Sequence, residues 1–105
     1  MVLEVAILNI KPGQEQSFEI AFAEAQKIIS KIKGYISHQL QHNIEKPNKY
    51  ILLVNWKELE DHQIGFRQSL AYQEWRALLH HFYDPFPMVE YYVGVYEGKS
   101  SVPLV

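Results

Sequence analysis

The chain has no cysteine among its 105 residues. This absence excludes disulfides, thiolate nucleophiles, iron–sulfur clusters and cysteine-based zinc sites. It also has no excess of positive charge, because ten basic side chains stand against twelve acidic ones and the formal net charge is −2. A general phosphate-binding surface needs a basic excess, so we expect no nucleic-acid partner.

Long apolar runs and glycine-rich phosphate loops are also missing. No stretch approaches the roughly 18 apolar residues that a membrane span requires. The N-terminal segment 1–10 has no basic flank, and Glu4 interrupts its apolar run, so it does not resemble a signal peptide. The five glycines form neither GxGxxG nor a Walker loop. We therefore expect a cytoplasmic protein with no membrane association and no bound cofactor.

The five histidines do not have the spacing of a metal site. His38 and His42 share one face of a predicted strand, but four residues at about 3.3 Å each separate them by about 13 Å. A metal ion bound about 2 Å from each nitrogen cannot join them. His80 and His81 are helix neighbours that point about 100° apart. The sequence therefore predicts no metal ligands.

Apolar periodicity predicts one domain over residues 1–105, with the order strand, helix, strand, strand, helix, strand. The predicted elements are strands 2–10, 35–44, 50–56 and 88–96, and helices 15–33 and 59–82, the second broken near Ser69. Residues 97–105 are expected to form a polar tail with an apolar end. This βαββαβ order predicts an α+β, ferredoxin-like fold with a four-stranded antiparallel sheet and both helices on one face.

Two of the predicted strands are apolar on both faces. In strand 2–10 and in strand 50–56, odd and even positions are both mostly aliphatic or aromatic. In an antiparallel sheet with one face in water, apolar and polar residues normally alternate along each strand, and two helices cover only one face of the sheet. We therefore predict a homodimer in which a second copy covers the open face of the sheet.

The second half of the chain carries a scatter of aromatic and small residues that resembles a known family. The matching positions are Trp56, His62, Phe66, Ser69, Tyr72, Trp75, the run Leu79–Tyr83 and the run Pro87–Tyr91. They are similar to the antibiotic biosynthesis monooxygenase family, whose βαββαβ order also fits. The resemblance implies a dimeric α+β barrel with a pocket between helices and sheet in each subunit. Some members of that family oxygenate phenols or quinols with O₂ and no cofactor, and others open haem.

The chain departs from the family pattern at identifiable positions. Tyr91 stands where many members have histidine, which puts in doubt any role of an imidazole there. The haem-degrading branch uses an asparagine on its first strand and a tryptophan and a histidine on its second helix. Ala6, Phe66 and Arg76 stand at these places here. Haem binding or degradation is therefore the disfavoured alternative, with His80 as its remaining candidate ligand.

An aromatic cleft that contains imidazoles favours oxygenation of an electron-rich ring. A base must remove the ring's hydroxyl proton, because the anion reduces O₂ far more readily, and histidine is the usual base near neutral pH. His62 and His38 are the candidate catalytic residues, since both lie among apolar neighbours. The candidate substrate-binding residues are Trp56, Phe66, Tyr72, Trp75 and Tyr91.

Simpler interpretations of the same residues remain open. The aromatic side chains can be ordinary helix–sheet core, and both histidines can be hydrogen-bonded core residues. Ser69 is better explained as a helix cap than as a nucleophile, and Arg67 and Arg76 as solvated helix residues. A barrel dimer that binds a small apolar ligand without chemistry is accordingly the main alternative function.

Overall fold

The computed structural model describes residues 1–103 and confirms the predicted order of elements. The strands are β1 (Val2–Asn9), β2 (Tyr35–His42), β3 (Lys49–Trp56) and β4 (Val89–Tyr92), and the helices are α1 (Glu15–Ile29) and α2 (Leu70–Leu79). A π-helical segment, Asp61–Phe66, precedes α2, and a short 3-10 turn, His80–Phe82, follows it. The apolar end predicted for the tail, Leu104 and Val105, lies outside the described residues.

The sheet is antiparallel with strand order β2-β3-β1-β4, which confirms the α+β, ferredoxin-like fold. Its buried face packs against both helices. That face presents alternate residues of the two central strands, in accord with the two-residue period of a strand. These residues are Glu4, Ala6 and Leu8 of β1 and Tyr50, Leu52, Val54 and Trp56 of β3. Glu4 is the charged member of this otherwise apolar or aromatic set.

Helix α1, strand β4 and the start of the second helical region differ from their predictions. Helix α1 ends at Ile29 rather than at residue 33, because the backbone tightens into a three-residue turn in which Ile32 N–H donates to Ile29. Strand β4 ends at Tyr92, whose partner Leu3 lies near the start of β1, so that strand offers little beyond it to pair with. The predicted helix from residue 59 forms instead as the π-helical segment.

Strand β2 contains a bulge that changes the face of its first residues. The pairing register shifts between Tyr35 and Ser37, so Tyr35 lies on the helix side and Ile36 is 49% exposed. Strict alternation along the predicted strand 35–44 would place Ile36 on the same face as His38, which is wrong because one extra residue reverses the alternation.

Ser69 separates the π-helical segment from α2, as predicted. Its hydroxyl accepts a hydrogen bond from Tyr72 N–H at 3.1 Å and donates one to the Phe66 carbonyl at 2.6 Å. The interpretation of Ser69 as a helix cap is confirmed, because these are the contacts of a serine N-cap.

Gly34 brings the loop after α1 into close contact with the π-helical segment. It has φ +86°, and a Cβ added there would lie 2.1 Å from the Asp61 side chain. We expect Gly34→Ala to lower the free energy of unfolding by more than the ~1–2 kcal/mol that a left-handed backbone costs an L residue. Urea denaturation measures the loss. Gly13→Ala is the matched control, because Gly13 has the same φ and nothing within 4 Å. Equal losses at the two positions would contradict the contact with Asp61.

Candidate functional site

A buried carboxyl group lies at the centre of the candidate site. Glu4 is 5% exposed on the helix-facing side of β1. Its Oε1 accepts a hydrogen bond of 2.9 Å from the indole N–H of Trp56, which is on the neighbouring strand β3. Burial raises the pKa of Glu4 to about 7, although the Trp56 hydrogen bond and the positive charge of Arg67 oppose that rise.

His62 lies against this carboxyl group. The π-helical segment places it over the sheet at 4% exposure, in agreement with its expected position among apolar neighbours. Its Nε2 is 3.3 Å from Glu4 Oε1, and its Nδ1 is 2.6 Å from the Tyr91 hydroxyl on β4. The imidazole therefore bridges strands β1 and β4, which pair with each other and present Glu4 opposite Tyr91.

The protonation of this group is set mainly by burial. Desolvation, together with the smaller effect of the positive charge of Arg67, lowers the pKa of His62 to about 4. Desolvation also raises the pKa of the Tyr91 hydroxyl. A neutral imidazole has one N–H and one free nitrogen. In one arrangement, the free nitrogen Nδ1 accepts a hydrogen bond from the Tyr91 hydroxyl and Nε2–H points towards Glu4. In the other, the free nitrogen Nε2 accepts from a protonated Glu4 and Nδ1–H points towards Tyr91. The geometry thus accommodates two positions of one proton.

We expect the contributions of Glu4 and His62 to the pH dependence of stability to cancel each other in wild type. Between pH 4.5 and 6.5 the unfolded chain holds a proton on the histidine, and the folded chain holds one in the pair. The folded and unfolded chains therefore bind equal numbers of protons at these two residues, and the pair adds no pH dependence to the free energy of unfolding in this range. Glu4→Gln leaves a histidine that binds its proton better when unfolded. The free energy of unfolding should then rise, relative to wild type, by about 3 kcal/mol from pH 4 to 6.5.

The reciprocal variant should show the opposite sign. His62→Gln leaves a carboxyl group that binds its proton better when folded, so the free energy of unfolding should fall as pH rises from 4.5 to 7. Denaturant titrations over this range measure both slopes. Gln16→Ala, which removes no titratable group and lies at an exposed position of α1, serves as the control and should run parallel to wild type. Three parallel profiles would contradict the coupling of the pair.

A small cavity adjoins Glu4 and His62. Its volume is about 60 Å³, which is room for a few water molecules. Aromatic and imidazole rings from the π-helical segment, from α2 and from the 3-10 turn and loop after it form much of its wall. These are Phe66, Tyr72, Trp75, His80, Tyr83 and Phe86. The rings also contact one another, with Phe66 packing edge-on against Tyr72 and Trp75 at centroid distances of 5.2 and 5.6 Å.

The structure brings most of the predicted site residues together. His62, Phe66, Tyr72 and Trp75 line the cavity. Trp56 lies behind it, fully buried, and contacts Glu4 through its indole N–H. Tyr91 contacts His62 rather than the cavity. Their roles in binding or catalysis stay predictions.

His38 lies elsewhere, between β2 and α1. Its Nε2 is 3.0 Å from Gln26 Oε1, and its Nδ1 is within hydrogen-bond distance of the Tyr35 hydroxyl. Burial lowers the pKa of His38. Both ring nitrogens have partners there, and the residue does not line the cavity beside Glu4.

Sequence reasoning missed Glu4 and Arg67 as members of the site. The signal for Glu4 was present, since it is an acidic residue at an inward position of an apolar strand. Arg67 is exposed, as expected for a solvated residue, but it also lines the mouth of the cavity, and its charge acts on both Glu4 and His62. Only the packing of the π-helical segment on β1 reveals this.

Other features within residues 1–103 are less suited to chemistry. A surface groove of about 680 Å³ between α1 and α2 has aliphatic walls and a rim of lysine and glutamate. No three histidine, aspartate or glutamate side chains in this part of the chain converge as metal ligands do. None of the helices described is both long and apolar enough to cross a membrane.

Comparison with known proteins places this chain in a family. The family model for antibiotic biosynthesis monooxygenases matches residues 1–78, which include Glu4 and His62 but not Tyr91. The uncharacterized protein YczJ of Bacillus subtilis strain 168 is 58% identical over 95 residues, which are 90% of this chain and 100% of YczJ.

Solved structures share the fold. A candidate antibiotic biosynthesis monooxygenase from Bordetella bronchiseptica has a TM-score of 0.86 and 33% identity, over 90% of this chain and 97% of that one. SnoaB, a cofactor-independent oxygenase from Streptomyces nogalater, has a TM-score of 0.65 and 19% identity, over 98% of this chain and 97% of that one. By the match of the family model over most of its length, the chain belongs to the antibiotic biosynthesis monooxygenase family.

Proposed function

We propose that this protein is a cofactor-independent monooxygenase that oxidises a small phenol or quinol with O₂ in the cavity beside Glu4 and His62. The observation that carries the proposal is a buried group able to move protons, Glu4–His62–Tyr91, next to a wall of aromatic rings. The family and the fold likeness to SnoaB support it.

The proposed reaction needs only a base, a suitable ring and O₂. For a phenol it is phenol + O₂ → para-quinone + water. A base takes the hydroxyl proton, and the phenolate gives one electron to O₂. The resulting superoxide and ring radical then join at the para carbon, and the peroxide takes up the proton. Loss of the para C–H proton with cleavage of the O–O bond yields the quinone and water.

The side chains around the cavity suit these steps. An apolar, aromatic wall holds a flat ring and admits O₂, while a few polar groups fix the orientation of the ring. His62, neutral at pH 7, is proposed as a group that receives or passes the hydroxyl proton. Phe66, Tyr72 and Trp75 are proposed to contact the ring, with Tyr91 acting through its contact with His62.

Entry of a substrate requires the rim of the cavity to open. Ligand pockets usually measure ~300–1,000 Å³, several times the volume seen here. Phe86 is the natural gate, because it lines the cavity, packs on His80 at a centroid distance of 4.9 Å and is 60% exposed. A substrate of one or two rings is therefore favoured over a haem, which would need a much larger opening.

We further propose that a second copy of the chain covers the open face of the sheet. The centre of this face is apolar and its margin is polar, which is the anatomy of a protein interface. Leu3, Val5 and Ile7 of β1 pair with Asn55, Leu53 and Ile51 of β3, while β2 contributes Ser37, Gln39 and Gln41.

The segment after β4 supports the same assembly. Val93, Val95 and Tyr96 are 69%, 82% and 98% exposed, so this part of the chain leaves apolar side chains uncovered. The radius of gyration is 15.0 Å, against about 13 Å for a typical domain of this length. A partner subunit would cover these side chains together with the sheet face.

Oxygen uptake with a panel of hydroquinones, naphthols and phenols tests the proposed activity. We expect consumption of one O₂ per substrate, formation of the quinone and water from a phenol or naphthol and of the hydroxyquinone and water from a hydroquinone, and no requirement for added flavin, nicotinamide or metal. Binding of these compounds without oxygen uptake would instead support the non-catalytic binding protein. An absorption band from added haem, with no oxidation of phenols, would favour the haem alternative.

A further inference from the structure

We propose that Glu4 is a catalytic residue of this pocket, the group that takes the hydroxyl proton from the substrate, and that His62 is the residue that positions it. The inference rests on the proposed function and assigns its base to a residue that the sequence motif does not contain.

The first step of the argument is the free oxygen of Glu4. Within residues 1–103, both polar contacts of the carboxyl group are made by Oε1, with Trp56 Nε1 and His62 Nε2. Oε2 makes no hydrogen bond within these residues. Every side-chain oxygen or nitrogen there that is closed to solvent has a hydrogen-bond partner, so Oε2 is not closed to solvent. Oε2 therefore opens to the cavity that Glu4 lines.

The second step is the fixed position of the carboxyl group. Trp56 is fully buried, so its indole N–H holds Oε1 from the sheet side. His62 lies on the other side of Oε1 and is itself held by the Tyr91 hydroxyl. A carboxyl group whose Oε1 is held by two partners and whose Oε2 is free can present a hydrogen-bond acceptor to a substrate in a fixed position.

The third step concerns the match of acid strengths. A general base works best when its pKa lies near the working pH. Burial raises the pKa of Glu4 to about 7, whereas burial lowers that of His62 to about 4. The titratable or charged groups that face Glu4 are His62 and Arg67 from the π-helical segment and its end, Tyr91 from β4 and Tyr83 after the 3-10 turn.

The proton transfer is balanced without any further reactant. The phenol O–H bond breaks, and the new O–H bond forms at Glu4 Oε2, so the negative charge passes from the carboxylate to the substrate oxygen. The exposed guanidinium of Arg67 at the cavity mouth favours an anion in either place. The proton can return to the peroxide that forms after O₂ has reacted.

Binding of 4-nitrophenol tests this step directly, because its anion absorbs visible light and its neutral form does not. The nitro group withdraws electrons, so the compound is a poor reductant of O₂ and binding is separated from oxidation. Quenching of tryptophan fluorescence, with Trp75 in the cavity wall, reports binding independently. At about pH 7, where part of the Glu4 carboxyl is ionised, we expect a larger anion band from nitrophenol bound to wild type than from nitrophenol bound to Glu4→Gln.

The pH profile of turnover provides the second readout. With a reactive substrate, kcat/KM of wild type should fall tenfold per pH unit below about pH 7, the range in which Glu4 becomes protonated. Glu4→Gln should lose this limb and about a hundredfold in kcat/KM at pH 7. Glu4→Asp should retain the limb. A purely structural role of Glu4 would leave the limb in place.

The outcomes separate the two proposals. One outcome is that nitrophenol bound to Glu4→Gln keeps the anion band, while nitrophenol bound to His62→Gln loses it. That result would overturn the role of Glu4 and assign the base to His62. Binding without ionisation in wild type would overturn it too. Failure of any phenol to bind would overturn the proposed function together with this one. Ionisation on binding without oxygen uptake would overturn the oxygenase alone.

Discussion

Replacing His62 with alanine is expected to lower turnover of a phenolic substrate about a hundredfold with the fold intact. The imidazole joins the Tyr91 hydroxyl to the Glu4 carboxyl group, at 2.6 and 3.3 Å. Without it, the carboxyl group loses the neighbour that holds it in place. Steady-state oxygen uptake measures the loss, and far-UV circular dichroism checks the fold.

The matched control for this variant is His42→Ala. His42 is an exposed imidazole on β2, stacked on Tyr50 and remote from the cavity, so turnover should be unchanged. If His62→Ala keeps its turnover and only unfolds at lower denaturant, His62 is a hydrogen-bonded core histidine. If His38→Ala lowers turnover in its place, the reaction takes place between β2 and α1.

A lysine at position 53 is expected to halve the mass of the protein in solution. Leu53 lies at the centre of the open sheet face, between Val5 of β1 and Gln39 of β2. If a second copy packs there, a pair of symmetry-related lysines would be buried without counter-ions, at a cost of several kcal/mol each. Light scattering on dilute wild type should report twice 12.3 kDa, and Leu53→Lys should report 12.3 kDa.

Ile20→Lys is the control for the assembly. Ile20 is an aliphatic residue of α1, 65% exposed on the helix side, so the same change of charge there should leave the dimer intact. A monomeric wild type at micromolar concentration would contradict the dimer. Dissociation by both variants would indicate general destabilisation rather than an interface at the sheet.

The sequence was sufficient for the architecture because its signals are local and repeated. Helix α1 carries an apolar stripe at helical spacing, Ser69 has the position and chemistry of an N-cap, and two prolines follow the second helix. Each signal depends on a few neighbouring residues, and together they leave one order of elements. That order and the short connections then favour a single antiparallel topology.

Local signals failed where pairing with another element decided the outcome. The extent of β4 depends on how much of β1 remains to pair with, and Tyr92 already faces Leu3. The bulge in β2 depends on its register with β3 and reverses the face of Ile36. Neither property is encoded in the alternation of one strand.

The candidate site divides in the same way. The inward stripe of the second helical region was enough to single out His62, Phe66, Tyr72 and Trp75, because residues on one helical face share their surroundings. The sequence by itself thus determined the fold, the family resemblance and the ring-lined wall. Only the tertiary structure brought Glu4 from β1, Trp56 from β3 and Tyr91 from β4 to the same imidazole. Burial there raises the pKa of the carboxyl group to about 7 and lowers that of the imidazole to about 4, and no spacing along the chain carries that information, because desolvation depends on everything packed around a group.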